Sequence, residues 1–194
     1  MSAAQGLPLP AGAQLVAVDS AQAMLDAVLD ACRAADALIM AAAVADFRPA
    51  HVADQKIKKL QGTPTLELAA NPDILATLAE ERRPEERLRV VVGFAAETQN
   101  LLANAQSKLE RKRLDLIVAN DVTAANAGFA VETNLVTLLR KDGSTETLPL
   151  QSKAGGRTDC GGGGGNVSGW GINFTGNECG KQCAVESGQF FSAQ

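Results

Sequence analysis

Lys108 and Lys112 lie four residues apart in an amphipathic stretch, so on a helix both ammonium groups leave one face and can clamp a polyphosphate. A second basic group, Lys56, Lys58 and Lys59, sits in a stretch without periodicity, a strap able to close over an anionic substrate and exclude water. Asn71, Pro72 and Asp73 together make a helix start: a capping side chain, a ring with preset φ, and an acid at the positive end of the dipole. The free amides of that start offer an edge for an anion or a base. Three apolar runs end in Val44-Ala45-Asp46, Phe94-Ala95-Ala96-Glu97 and Ala119-Asn120-Asp121. Small residues before a polar group let a ligand approach the backbone, and an acid or amide there can meet ribose, base or metal-bound water. Singly, each feature is an ordinary solvated helix face, surface loop, cap or strand end. Three acids with lysines nearby point to one anion-binding, nucleotide-type site.

The elements that must position these groups follow from the apolar spacing. Residues 15–18 form a short strand, and Ser20 caps a helix whose positions Met24, Leu25, Val28, Leu29 and Cys32 share one face. The small and apolar run 37–44 suits a strand covered on both sides, as in a parallel sheet. Residues 47–62 form the strap, 65–68 a short strand, and the helix opened by Asn71 runs to about Glu80. Residues 89–94 and 114–119 are further buried strands, separated by a helix over 98–113 with Leu101, Leu102, Ala105 and Leu109 inward. Strand and helix alternating at this spacing indicate parallel βαβ units, in which ligands bind outside the carboxyl ends of the strands. Residues 135–140 and 145–150 flank Asp142-Gly143, a tight-turn pair, and make a closing antiparallel hairpin.

The composition breaks after residue 150. Of 194 residues, 46% are hydrophobic and 21% charged, with a formal charge of -4, which argues against a surface built for nucleic acid. No apolar run approaches a membrane span, and the first ten residues lack a signal-peptide pattern, so the expected setting is cytoplasmic. Yet 12 of 18 glycines, three of the four cysteines and Trp170 fall in residues 151–194. A segment so rich in Gly loses much backbone entropy on ordering and has few side chains to bury, so it is expected to be a disordered Gly/Cys-rich tail beside a domain spanning 1–150. Cys179 and Cys183 fit half a zinc site only loosely, and incidental thiols are the simpler reading; no metal-ligating residue is assigned. The body has no P-loop and no Gly-x-Gly-x-x-Gly turn, which disfavours a standard P-loop kinase or nicotinamide reductase.

The ordered run Ala42-Ala43-Val44-Ala45-Asp46-Phe47, Lys56-Ile57-Lys58-Lys59, Asn71-Pro72-Asp73-Ile74, Val92-Gly93-Phe94-Ala95-Ala96-Glu97-Thr98, the pair Lys108/Lys112, Leu114-Asp115-Leu116-Ile117-Val118-Ala119-Asn120-Asp121 and Gly128-Phe129 resembles phosphopantothenoylcysteine synthetase, the phosphopantothenate-cysteine ligase. In many bacteria that domain is the carboxyl-terminal half of a bifunctional coenzyme A biosynthesis protein. The resemblance covers about residues 15–150. Against the family pattern, a first strand with its Gly-rich turn and an Asn-x-Ser-Ser-Gly segment would precede Met1, and a closing helix would follow residue 150.

The resemblance implies an α/β, Rossmann-like parallel sheet flanked by helices, with a C-terminal antiparallel hairpin. It implies that CTP activates 4'-phosphopantothenate as an acyl-cytidylate with release of pyrophosphate, and that the cysteine amine then displaces CMP. Mg2+ would accompany the triphosphate, the domain would be a homodimer, and a flavin-dependent decarboxylase would be fused or associated. By matched position, Met40, Ala41, Ala42, Asp46, Lys56, Pro72, Asp73, Ile74, Leu75, Phe94, Lys108 and Lys112 are CTP-site residues. Lys56 would be catalytic, and Ala43 would lie close to the activated intermediate. A catalytically inactive nucleotide-binding or dimerisation remnant is the alternative from a different class.

Overall fold

The run Ala37-Leu38-Ile39-Met40 is buried along its whole length, as a strand with neighbours on both edges and cover on both faces must be. It is β2 of a computed structural model that describes residues 13–53, 55, 65–97, 100–121, 133–134 and 136–148 and the strand segments 151–152, 164–167, 172–175, 182–186 and 189–193. In chain order the elements are β1 (Ala13–Ala17), α1 (Ala21–Cys32), β2 (Ala37–Met40), β3 (Phe47–Pro49), β4 (Leu68–Ala70), α2 (Ile74–Glu81), β5 (Val90–Glu97), α3 (Leu101–Arg111), β6 (Leu116–Asp121), β7 (Thr133–Asn134), β8 (Val136–Arg140), β9 (Thr145–Thr147), β10 (Gln151–Ser152), β11 (Gly164–Val167), β12 (Ile172–Thr175), β13 (Gln182–Glu186) and β14 (Gln189–Ala193).

The main sheet runs β1-β14-β13-β2-β5-β6-β8-β9. β2, β5 and β6 are parallel neighbours, and β8 and β9 extend the sheet in antiparallel fashion through the Asp142-Gly143 turn, where Gly143 has φ 82. The α/β class with its terminal hairpin is thus observed. Side-chain alternation splits the core. Leu38, Met40, Val91, Ala95, Ile117 and Ala119 join the buried faces of the three helices, while Ile39, Val92, Val118 and Leu138 cluster separately. Among the described residues, no helix is long and apolar enough to cross a membrane.

Several elements differ from the sequence reading. β2 stops at Met40, and residues 41–45 continue without regular structure, because the alanines there leave the sheet to form a loop. The strap contains β3, which pairs antiparallel with β4; the strand read at 65–68 is therefore Leu68–Ala70. Leu102 is 52% exposed, since the buried stripe of α3 is narrow, one residue per turn through Leu101, Ala105 and Leu109. β13 and β14 fall within the stretch read as a tail. β13 lies parallel to β2, and β14 bridges β13 to β1. An uncovered edge of β2 would leave a row of backbone donors and acceptors unpaired, and a strand of any composition can pair them.

The start of β6 is tied down by one carboxylate. Asp115 Oδ2 accepts from the Val91 N–H at 2.9 Å and from Arg82 Nη1 at 3.3 Å, and Oδ1 accepts from Lys141 Nζ at 2.7 Å. Arg82 also donates to the carbonyls of Leu88 and Arg89, so this knot joins the end of α2, β5, β6 and the β8–β9 turn. The Asp115 side chain is only 15% exposed. Asp115→Ala should cost about 2–3 kcal/mol of stability, because it strands a partly buried guanidinium and an amide. Urea unfolding with an unchanged m-value checks this; a loss below about 0.5 kcal/mol would show the knot to be dispensable.

Candidate active site

β5 outlasts β2, and a hollow opens there. In register, Met40 is opposite Gly93, so from Phe94 onward β5 has no β2 partner on that side. The loop after β2 and the start of α2 border the space, a pocket of about 150 Å³. Its walls include Met40, Ala42, Val44, Ala45 and Asp46 from β2 and its loop, Asn71 to Leu75 from the α2 start, Phe94 from β5, and Lys112 from the end of α3. Gly93 keeps the packing beside it close: a Cβ there would lie 2.7 Å from Leu114 Cδ1. A side chain at that position would push on Leu114, a member of the buried core.

The polar groups are arranged in two sets. Asp73 is the N-cap of α2, its Oδ1 accepting from the Ala76 N–H at 3.1 Å, and its Oδ2 lies 3.0 Å from Lys112 Nζ. The Lys112 side chain is 19% exposed, so its ammonium is presented at the pocket wall with most of its stem covered. Burial on its own would raise the Asp73 carboxyl. The hydrogen bonds from Lys112 and Ala76, with the charges of Lys112 and Arg111, outweigh it and hold the group below its ordinary 3.8. The second set centres on Asn71, which does not cap α2 as the sequence reading has it. Asn71 instead donates from Nδ2 to the Ala45 carbonyl at 2.8 Å, and its backbone N–H donates to the Asp46 carbonyl at 2.8 Å.

The profile of the DNA/pantothenate metabolism flavoprotein C-terminal domain family matches residues 1–156. The chain belongs to that family. It is 49% identical over 141 residues to the coenzyme A biosynthesis bifunctional protein CoaBC of Bacillus subtilis (strain 168), covering 73% of this chain and 34% of the relative. Against the CoaBC of Mycobacterium bovis (strain ATCC BAA-935 / AF2122/97) the identity is 47% over 155 residues, covering 76% and 37%. The chain thus spans about a third of the length of the curated relatives it matches. Among solved structures, the C-terminal domain of a CoaBC protein superposes with a TM-score of 0.52 at 39% identity, covering 69% of this chain and 55% of that one.

Within this flavoprotein-family fold, nine of the twelve residues that the resemblance assigns to a CTP site line this hollow: Met40, Ala42, Asp46, Pro72, Asp73, Ile74, Leu75, Phe94 and Lys112. Ala41 and Ala43 are exposed on the loop between them. Lys108, a turn before Lys112 on α3, is half-buried and does not line the pocket. Lys56, with Lys58 and Lys59, lies outside the described residues.

The register sets two of the three strand-end acids level with one another. Glu97 is opposite Asp121, four positions beyond the level of Met40 and Gly93, roughly 13 Å along the strand. Asp46 lines this pocket, and the side chains of Glu97 and Asp121 lie outside the described residues. The assigned set omitted Val44, Ala45 and Asn71. Position within two residues of Asp46 or next to Pro72 was the available signal.

The Asp73 carboxyl also sets a pH dependence. Its folded-state pKa is depressed, so its stabilising contribution is present above the unfolded value near 3.8 and is lost as pH falls through the lower folded value. Asp73→Asn should therefore be less stable than the parent near neutrality, with the gap closing as pH drops below about 4. Thermal melts at pH 7 and in acid measure this, and a gap independent of pH would contradict it.

Proposed function

We propose that this domain joins 4'-phosphopantothenate to cysteine through a CTP-derived acyl-cytidylate, as a phosphopantothenate-cysteine ligase of coenzyme A biosynthesis. The pantothenate carboxylate attacks the α-phosphorus of CTP, the bond to pyrophosphate breaks, and the cysteine amine then attacks the acyl carbon and releases CMP. The observation that carries the reading is the gathering of nine matched residues, a partly covered ammonium among them, around one hollow. Family membership and the naming of its relatives as coenzyme A biosynthesis proteins support it.

A hollow of about 150 Å³ is smaller than a pocket that encloses a whole drug-sized ligand, so it is a subsite for one part of the nucleotide. Lys112, with Lys108 behind it, is the phosphate-binding group, and Asp46 and the α2 start frame the rest. Lys56 is the catalytic charge donor at the α-phosphate, and Ala43 is the small residue beside the intermediate. Mg2+ would neutralise part of the triphosphate's charge when bound, and Asp46, exposed at the pocket wall, is the oxygen donor that would suit it. A homodimer, a cytoplasmic setting and a fused flavin-dependent decarboxylase complete the proposed assembly.

CTP with Mg2+ at about 100 times its Kd should raise the melting temperature of the chain by roughly 5–10 °C, with ATP and NADPH as controls. Pyrophosphate release on adding 4'-phosphopantothenate tests the chemistry. Stabilisation without release would favour a nucleotide-binding remnant, and stabilisation by NADPH alone would favour a reductase.

A further inference from the structure

Asn71 ties together several of the pocket's walls. Its side-chain amide uses both ends: Nδ2 donates to the Ala45 carbonyl at 2.8 Å, and Oδ1 accepts from Arg48 Nη1 at 3.1 Å. The same Arg48 nitrogen donates to the Ala70 carbonyl, and the Asn71 N–H donates to the Asp46 carbonyl. One residue just ahead of α2 thus binds the loop after β2 at positions 45 and 46 and strand β3 at position 48. Asp46 itself is exposed at the pocket wall, and residues 41–45 have no regular structure to fix it.

We propose that Asn71, locked by Arg48, is the positioning residue that fixes Asp46 and the 41–46 loop against α2 and so sets the affinity of the pocket for the nucleotide. Only an amide meets both demands at this length. A carboxylate would still accept from Arg48 but would oppose the Ala45 carbonyl, and a hydroxyl is too short to span the two partners. An apolar residue would leave the guanidinium and the carbonyl unpaired. The inference rests on the nucleotide reading of the pocket, and its test separates the two.

The test uses the full chain with Asn71→Asp, Arg48→Lys, Asp46→Ala and the double variant Asn71→Asp/Asp46→Ala. Hydrogen exchange is followed in peptides spanning 41–48 and 68–73, with 116–119 as the internal control, and CTP–Mg2+ affinity is measured by titration. Asn71→Asp should speed exchange in the first two regions, leave 116–119 unchanged, and weaken CTP binding about tenfold or more. Arg48→Lys, which keeps the charge on a shorter side chain, should shift both in the same direction by about threefold. Because Asn71 acts through Asp46, the double variant should bind CTP within about twofold of Asp46→Ala. Unchanged exchange, faster exchange with CTP affinity within twofold of the parent, or fully additive losses in the double variant would each overturn the proposal. A parent chain that fails to bind CTP–Mg2+ overturns the nucleotide reading, and with it the assigned effect on affinity, while the exchange data still decide whether the clasp exists.

Discussion

Lys112→Met should weaken CTP–Mg2+ binding by about 10- to 100-fold while leaving the turnover of bound substrate largely intact. The ammonium stands at the wall of the pocket, 3.0 Å from Asp73 Oδ2, with its side chain 19% exposed. A charge-assisted hydrogen bond in such partly covered surroundings contributes roughly 1.5–3 kcal/mol, and each 1.4 kcal/mol is about tenfold in affinity. Methionine keeps the apolar stem and removes only the charge, so packing against α2 is preserved. Isothermal titration of parent and variant reads the effect. Equal affinities would remove Lys112 from the phosphate site.

Lys56→Ala should have the opposite signature, lowering turnover by on the order of 100-fold or more with little change in CTP affinity. The proposed role is to stabilise charge that grows at the α-phosphate as the pantothenate carboxylate attacks. A donor aimed at developing charge acts mainly on the transition state, whereas one that holds the ground-state phosphates acts on binding. Pyrophosphate release in a single turnover, followed with 4'-phosphopantothenate and CTP, distinguishes them. Near-normal release by Lys56→Ala would end that assignment. A loss of affinity equal to that of Lys112→Met would make Lys56 a binding residue instead.

Local chemistry made much of the fold readable. Ser20 caps α1 as its residue type suggests, accepting from the Ala23 N–H at 3.1 Å, and the apolar face through Met24, Leu25, Val28 and Cys32 is buried. Asp142-Gly143 turns the chain because glycine supplies the positive φ that the turn needs. What failed to show was set by partners distant in sequence. The run 37–44 reads as one strand, yet only four of its residues find neighbours in the sheet, and that early stop is what opens the hollow. Asn71 and Asp73 are equally good caps by type. Tertiary contacts with Ala45 and Arg48 take Asn71 away and leave the capping to Asp73. The candidate site was readable chiefly as motif resemblance. Spacing alone pointed to Glu97 and Asp121, which the strand register sets opposite one another at the ends of β5 and β6.

The pairing of Lys112 with Asp73 has a consequence for how an anion enters. The pocket carries its own counter-ion, so a phosphate bound as proposed would not meet a bare cation but would take the place of a tethered carboxylate. Uptake is then an ion exchange within the protein. Its dependence on added salt should be shallower than a tally of nearby lysines would suggest, because part of the neutralising work is done before any solute arrives.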